Sequence, residues 1–495
     1  MNRSRQRVSS KRWGAEALLI NALTALSSYR LYAGAGKEMA SIFLLLNASV
    51  ASIGAAVGAD CHGLRPRKCE DQVALVPGSA LVPLLCSTYA AEKAWTGWDL
   101  RFWLSLLHAL YFLLVTGFPV LSRRRYSMGA VLGIIGYGIF GSHAVLACLL
   151  FPIVFWEFTY EWERSFTLGE ATITASALCL CLTELPGVGI NSTLSNSHGE
   201  VDGVIICGVL GVIAAILLLT PIARRPGQED SKKLVISIIG FFGIGVYPLL
   251  CSYLRTEPFG WILTYLASHL RIGIVSTWLT ILIVVILWFP PQKLNTSLII
   301  ARKFYHLLAI VMFLAPAFLD MELLRLAFAV ALVGLVVVEI LCIPKSLTLS
   351  MQLSKYMGSL TDKRDRGLVV VSHIYLLLGC AFPMWLEPLP CRSTSLSGLV
   401  CLGVYDAVAS VVGSTLGKIR IFWTRKTVEG SIGGAVTALG FSLSVSAVLC
   451  HEDASEFGLK AASITLMALF EICTTQNDNL VLPIYYFACL RLICP

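Results

Sequence analysis

"GVYDAVASVVGSTLGKIRIFWTRKTVEG", from Gly403 to Gly430, opens as an apolar helix, carries an aspartate two turns before that helix gives out, and runs on into a basic loop. At helical spacing the positions 403, 406, 410, 413 and 417 share one face. They hold Gly403, Asp406, Ser410, Gly413 and Gly417, one acid among very small side chains. A face stripped of side chains admits either a second helix backbone, as in small-xxx-small packing, or a ligand. The spacing of the glycines alone leaves both readings open. Asp406 tips the balance toward function, because a carboxylate within a membrane span costs about 2.5–3.5 kcal/mol on insertion scales.

That the stretch lies in a membrane follows from the rest of the chain. Of 495 residues, 56% are hydrophobic and only 14% charged, against roughly 25% charged in ordinary soluble domains. Apolar runs recur throughout, at 39–58, 73–91, 102–121, 202–221, 234–253, 272–289, 323–343, 367–387 and 431–450. Shorter or glycine-interrupted runs lie at 15–32, 167–184, 304–319, 396–413, 460–475 and 478–493. Runs of this kind predict an all-α, polytopic integral membrane protein with about 15 transmembrane helices. Many of the sixteen cysteines, such as Cys179, Cys181, Cys207, Cys342 and Cys380, fall inside apolar runs and read as small hydrophobes. No paired CxxC and no HExxH is present, so no structural zinc site is expected.

The net charge of +8 is spread over interhelical loops, which argues for positive-inside topology and against nucleic-acid binding. Basic loops at 59–72, 122–125, 223–233 and 344–367 are assigned to the cytosol, as is a basic tail at 1–14. The assignments agree from residue 185 onward, and before it the parity depends on whether 128–155 is one long helix or a glycine-rich hairpin. The sequon at Asn191 and the acidic "HEDASEF" at 451–457 are assigned to the lumen. On this map four polar clusters meet at the cytosolic face: "RKFYH" (302–306), "TDKRDRG" (361–367), the loop 418–430 and "TTQNDN" (474–479). The expected organisation is therefore a multi-helix membrane region at 15–290, serving as scaffold, lipid-facing surface or substrate groove, and a catalytic membrane domain at 291–495.

"TRKTVEG" supplies the parts that phosphoryl transfer needs. Arg425 and Lys426 are adjacent cations, Thr427 a hydroxyl, Glu429 a carboxylate, and Gly430 begins the next helix. Cations neutralise phosphate oxygens, and amides at a glycine-rich turn or helix N-terminus cradle them. "GSTLGK" (413–418) is not a P-loop, since it lacks the spacing, the Ser/Thr after the lysine and a preceding strand. In "TTQNDN", Asp478 between two asparagines fits a metal ligand or a helix cap. His306 fits a packed interfacial side chain as well as a functional one. Glu339 and Glu471 fit structural partners of a buried Arg or Lys.

The stretch 403–430 resembles the CTP-binding segment of the dolichol kinases, in which a DxxAS helix precedes a Gly-Ser turn and a loop ending K-T-x-E-G. "RKFYHLLAIVMFLAP", "SHIYLLLGCAFPMWL" (372–386) and "EICTTQNDNLVLPIYYF" (471–487) extend the resemblance over the last 200 residues or so. It implies CTP-dependent phosphorylation of dolichol, or another long-chain polyisoprenol, at the cytosolic face of the endoplasmic reticulum membrane, giving dolichyl phosphate for protein glycosylation. Asp406, Ser410, Gly413, Ser414, Gly417, Lys426, Thr427, Glu429 and Gly430 match the nucleotide-binding motif. Tyr405 stands where that family usually has glycine, and Ala407 where it has threonine.

The expected mechanism transfers the γ-phosphoryl group of CTP to a lipid hydroxyl, with Mg²⁺ or another divalent cation. Asp406, Asp478 and Lys426 are the expected catalytic residues, and Asp406, Asp478 and Glu429 the expected metal ligands. Arg425 and Lys426 bind phosphates, Glu429 orients Lys426 or the metal, and a Gly413–Gly417 turn offers amides. The alternatives are a kinase of another lipid alcohol (polyprenol, phytol or diacylglycerol), a transporter using Asp406 as an ion site, and an inactive scaffold.

Overall fold

The structure, a computed structural model, describes residues 15–29, 67, 75–90, 98–117, 131, 133–134, 142–180, 199–224, 228–288, 298–344, 351–355, 367–387, 393–421, 424, 426–447, 457–474 and 476–493. Among them the regular elements are helices, and no β-strand is present. In hydrocarbon every backbone N–H and C=O must be satisfied within its own segment, and the helix does this locally. Five described helices are long and apolar enough to cross a membrane, or six if the pair Pro258–Leu266 and His269–Val285, bent by 96°, counts as one span. Five shorter apolar helices accompany them: Gly78–Thr88, Phe102–Thr116, Leu168–Leu180, Val371–Leu386 and Leu399–Thr415. The apolar run 39–58, the loop 122–125 and the glycosylation sequon lie outside the described residues.

The chain forms two compact units. The first comprises Met1–Leu194, Arg420–Lys426 and Ser455–Pro495; the second comprises Ser195–Ile419 and Thr427–Ala454. This grouping joins the two ends of the chain and does not follow a division at residue 290. The motif stretch therefore belongs chiefly to the second unit, and "TTQNDN" to the first.

In the first unit Leu75–Ala90 packs against Trp98–Gly117, Leu168–Leu180 and Asp478–Ile493. Aromatic side chains fill the gaps. Phe470 stacks on Tyr485 with centroids 4.2 Å apart, and the Trp156 indole donates to the Tyr111 hydroxyl at 3.1 Å. A stacked aromatic pair contributes about 0.5–1.5 kcal/mol beyond its buried area.

In the second unit Gly199–Ala223 lies along Met321–Cys342, and Leu298–Leu319 lies along the helix that carries Asp406. Asp320 caps Met321–Cys342 by accepting from the Leu323 N–H at 3.0 Å and also holds Arg271 at 2.6 Å. Arg325 pairs with Asp202 at 2.5 Å. These two pairs hold one end of the bundle together. Along Lys232–Leu254 the apolar side chains of Ile236, Ile239 and Ile244 are exposed, as suits a surface that meets lipid.

Candidate functional site

The helix bearing Asp406 is not uniform. Leu399–Asp406 is a π-helix that continues as the α-helix Ala407–Thr415. The wider π turn rotates the preceding residues relative to those that follow, so the five small or acidic positions do not form one straight stripe. π segments of this kind occur frequently at functional sites. Asp406 is the last residue of this one and is only 2% exposed.

Two residues of "RKFYH" meet it. The Lys303 ammonium lies on Asp406 Oδ2. His306 Nδ1 is 3.1 Å from the same oxygen and 3.1 Å from the Leu402 carbonyl. Lys303 and His306 sit one turn apart on Leu298–Leu319, so both face the π segment. The described helix Leu298–Leu319 reaches further toward the N-terminus than the expected apolar run 304–319. Lys303 is the functional candidate that the sequence did not single out. Its signal was present, in a lysine three residues before a histidine on an apolar helix.

The glycines serve close backbone approach. A Cβ on Gly403 would run into Ile310. A Cβ on Gly430 would sit 2.6 Å from the Ala409 carbonyl and 3.0 Å from Gly413 Cα. A Cβ on Gly417 would collide with the Gly413 carbonyl and lie 2.6 Å from Thr427 Oγ1. The expected Gly413–Gly417 turn is corrected on one point: Gly413 lies inside the α-helix, and the chain leaves that helix only at Leu416. Helical amides are committed to carbonyls four residues back, so Gly413 contributes proximity and not a free N–H.

Thr427 caps Val428–Val445, its hydroxyl accepting from the Gly430 N–H at 3.2 Å. Glu429 turns back onto the preceding connection and accepts from the Lys418 and Ile419 N–H groups, both at 3.0 Å. Ser414 is exposed and donates to the Val411 carbonyl at 3.0 Å, while Ser410 is half-buried on the same helix. Arg425 lies outside the described residues. Tyr405 is fully buried, with its ring and carbonyl against the bare backbone of Gly434. A large side chain and a glycine thus complement each other across the two helices.

In the first unit Lys426 donates to the Glu471 carboxylate, and to the Glu471 carbonyl at 2.5 Å. Glu471 is thus the structural partner of a lysine, one of the roles its position allowed. Glu339 accepts from the Val370 N–H at 2.9 Å. Asp478 is the first residue of Asp478–Ile493, half-buried, and accepts from the Asn479 N–H at 3.1 Å. Among the described residues no group of three or more His, Cys, Asp or Glu side chains could hold a metal ion.

The fold and these sites define a polytopic helical membrane protein with a charged cluster buried in a glycine-lined helix crossing. The chain belongs to the dolichol kinase family. It is 30% identical over 354 residues to a dolichol kinase of Schizosaccharomyces pombe, covering 65% of this chain and 68% of that relative. It is 29% identical over 354 residues to the dolichol kinase of Homo sapiens, covering 66% of this chain and 65% of the relative's length. A dolichol kinase of Arabidopsis thaliana is 30% identical over 287 residues, covering 54% of this chain and 50% of the relative. No protein-family model matches the chain, and no solved structure matches it.

Proposed function

We propose that this chain phosphorylates the terminal hydroxyl of dolichol, with CTP as donor, to give dolichyl phosphate and CDP. The observation that carries the reading is the buried Asp406–Lys303–His306 cluster, in a chain of the dolichol kinase family. Phosphoryl transfer requires little covalent chemistry from the protein and depends on positioning and charge. A carboxylate buried beside two basic side chains, about two turns before its apolar helix ends, supplies charge where a lipid alcohol could meet it.

In this reading Asp406 is the acid nearest the chemistry, and Lys303 neutralises it inside the bundle while remaining close enough to meet an incoming phosphate. Asp478 is the second acid, and the two divide the tasks of accepting the hydroxyl proton and holding the donor's divalent ion. Lys426 and Arg425 bind phosphate oxygens. The residues suit an ion that arrives with the nucleotide, because Mg²⁺ is commonly held by one or two carboxylates plus substrate phosphates. Such an ion offsets phosphate charge when bound. Ser410, Ser414, Gly417 and Gly430 line the approach to the nucleotide, and Glu429 holds the loop 418–419 in place.

The same proposal includes the full topology of about 15 spans, the endoplasmic reticulum membrane as location and the cytosol as the side from which the nucleotide enters. It is supported by the apolar helices and by the distribution of basic loops along the sequence. The test uses purified full-length protein in nanodiscs, γ-labelled CTP or ATP, and dolichol, a shorter polyprenol, phytol or diacylglycerol as acceptor. CTP-dependent labelling of dolichol that disappears in Asp406→Ala is the expected result. Labelling confined to another alcohol overturns the substrate, and undiminished labelling in Asp406→Ala overturns the site.

A further inference from the structure

The first unit holds a further buried acid, in the half of the chain expected to be scaffold. Glu170 is 0% exposed and lies in the first turn of Leu168–Leu180. With Thr167 it forms a capping box: the Glu170 N–H donates to Thr167 Oγ1 at 3.1 Å, and the Thr167 N–H to Glu170 Oε2 at 3.2 Å. A capping box needs nothing further, yet both side chains also reach out to "TTQNDN". Glu170 Oε1 accepts from the Asn477 N–H at 3.0 Å, and Thr167 Oγ1 donates to Gln476 Oε1 at 2.8 Å. The same Oε1 accepts from Arg67 Nη2 at 2.5 Å, and the Arg67 N–H donates to the Phe166 carbonyl at 2.6 Å.

Asn477 in turn starts the helix that carries Asp478. Its carbonyl accepts from the Leu480 and Val481 N–H groups, both at 3.1 Å, and its side chain accepts from the Asn479 N–H at 3.1 Å. A continuous set of bonds thus leads from Arg67 through Glu170 to the residue immediately before Asp478. Replacing a buried ion pair by apolar side chains is often neutral or stabilising, so stability alone is a weak reason for this one. Fixing the direction of a neighbouring functional group is a better-supported use of buried acids behind a site.

We infer that Glu170 is a positioning residue for Asp478, holding Gln476 and Asn477 so that the helix Asp478–Ile493 begins in one orientation. The inference rests on the proposed role of Asp478. It makes the N-terminal half part of the machinery, and the chemistry it serves is that of the proposed phosphoryl transfer.

The test substitutes Glu170→Gln, which keeps the capping box and removes the charge, and Glu170→Gln/Arg67→Met, which also removes the unpaired cation. Hydrogen–deuterium exchange without nucleotide is read beside steady-state kinetics, with Asp478→Asn in parallel. The expected result is faster exchange at 476–481 with Leu168–Leu180 still protected. The kcat falls by about 10–100-fold in both Glu170 variants, while KM for nucleotide and alcohol stays within about twofold, since binding is intact. Wild-type exchange and kcat, or exchange that rises across the whole unit, overturns the inference. If Asp478→Asn is fully active while Glu170→Gln still loosens 476–481 and lowers kcat, the role of Asp478 fails and that part of the inference fails with it. If Asp478→Asn is inactive and Glu170→Gln is normal, the inference fails and the proposed function stands.

Discussion

The ammonium of Lys303 rests on Oδ2 of Asp406, a carboxylate 103 residues further along the chain. Each side chain removes the penalty of burying the other, and His306 shares the same oxygen. The pair is therefore asymmetric under mutation. Removing one member leaves a charge stranded, whereas neutralising both leaves no stranded charge.

Lys303→Met is expected to destabilise the protein by about 3–5 kcal/mol and to abolish phosphate transfer. Lys303→Met/Asp406→Asn should recover most of that stability and none of the activity. Denaturant unfolding in detergent, read beside the transfer assay, separates the two effects. A double variant as unstable as Lys303→Met would show that the ion pair is not the source of the loss.

The glycine crossing predicts steep steric discrimination between similar substitutions. Gly430→Ala places a methyl 2.6 Å from the Ala409 carbonyl and should cost about 1–3 kcal/mol through forced backbone shifts. Gly440, on the same helix, has no heavy atom within 4 Å of an added Cβ, and Gly440→Ala should be neutral or stabilise by up to about 1 kcal/mol. Melting temperatures of the two variants give the comparison directly.

Thr427 both caps a helix and fills the space that Gly413 and Gly417 leave. Thr427→Val keeps the shape and loses the cap, for a cost of about 1 kcal/mol. Thr427→Ser keeps the cap and should retain most of the stability. Equal melting temperatures for the two variants would count against a capping role.

Tyr405 is buried against Gly434, so restoring the glycine usual in the resembled motif opens a cavity. Tyr405→Gly is expected to cost about 3–5 kcal/mol, the range for truncating a large buried aromatic, and not to raise kcat. A more active and equally stable Tyr405→Gly would mean that the tyrosine obstructs the site.

The helical character of the chain was legible in the sequence, because it is decided locally. An apolar run of sufficient length has to close its own hydrogen bonds in lipid, and the expected runs at 202–221, 323–343, 367–387 and 478–493 fall on described helices. Asp406 was legible for the same reason, since an acid in such a run is costly wherever it points. The sequence also identified Thr427, Lys426 and Glu429 as a polar group at a helix start, but not the partners they use.

Those partners are chosen by the tertiary structure alone. That Lys303 neutralises Asp406, that Glu471 holds Lys426, and that Glu170 reaches Asn477 across 307 positions are pairings between distant segments. The π segment before Asp406 likewise changed which neighbours a single helical face could meet. Local periodicity reports how much a residue gains from being buried, and it is the same for every possible neighbour. Only the packing of whole helices fixes which buried charge lies beside which, and so which residues form a site.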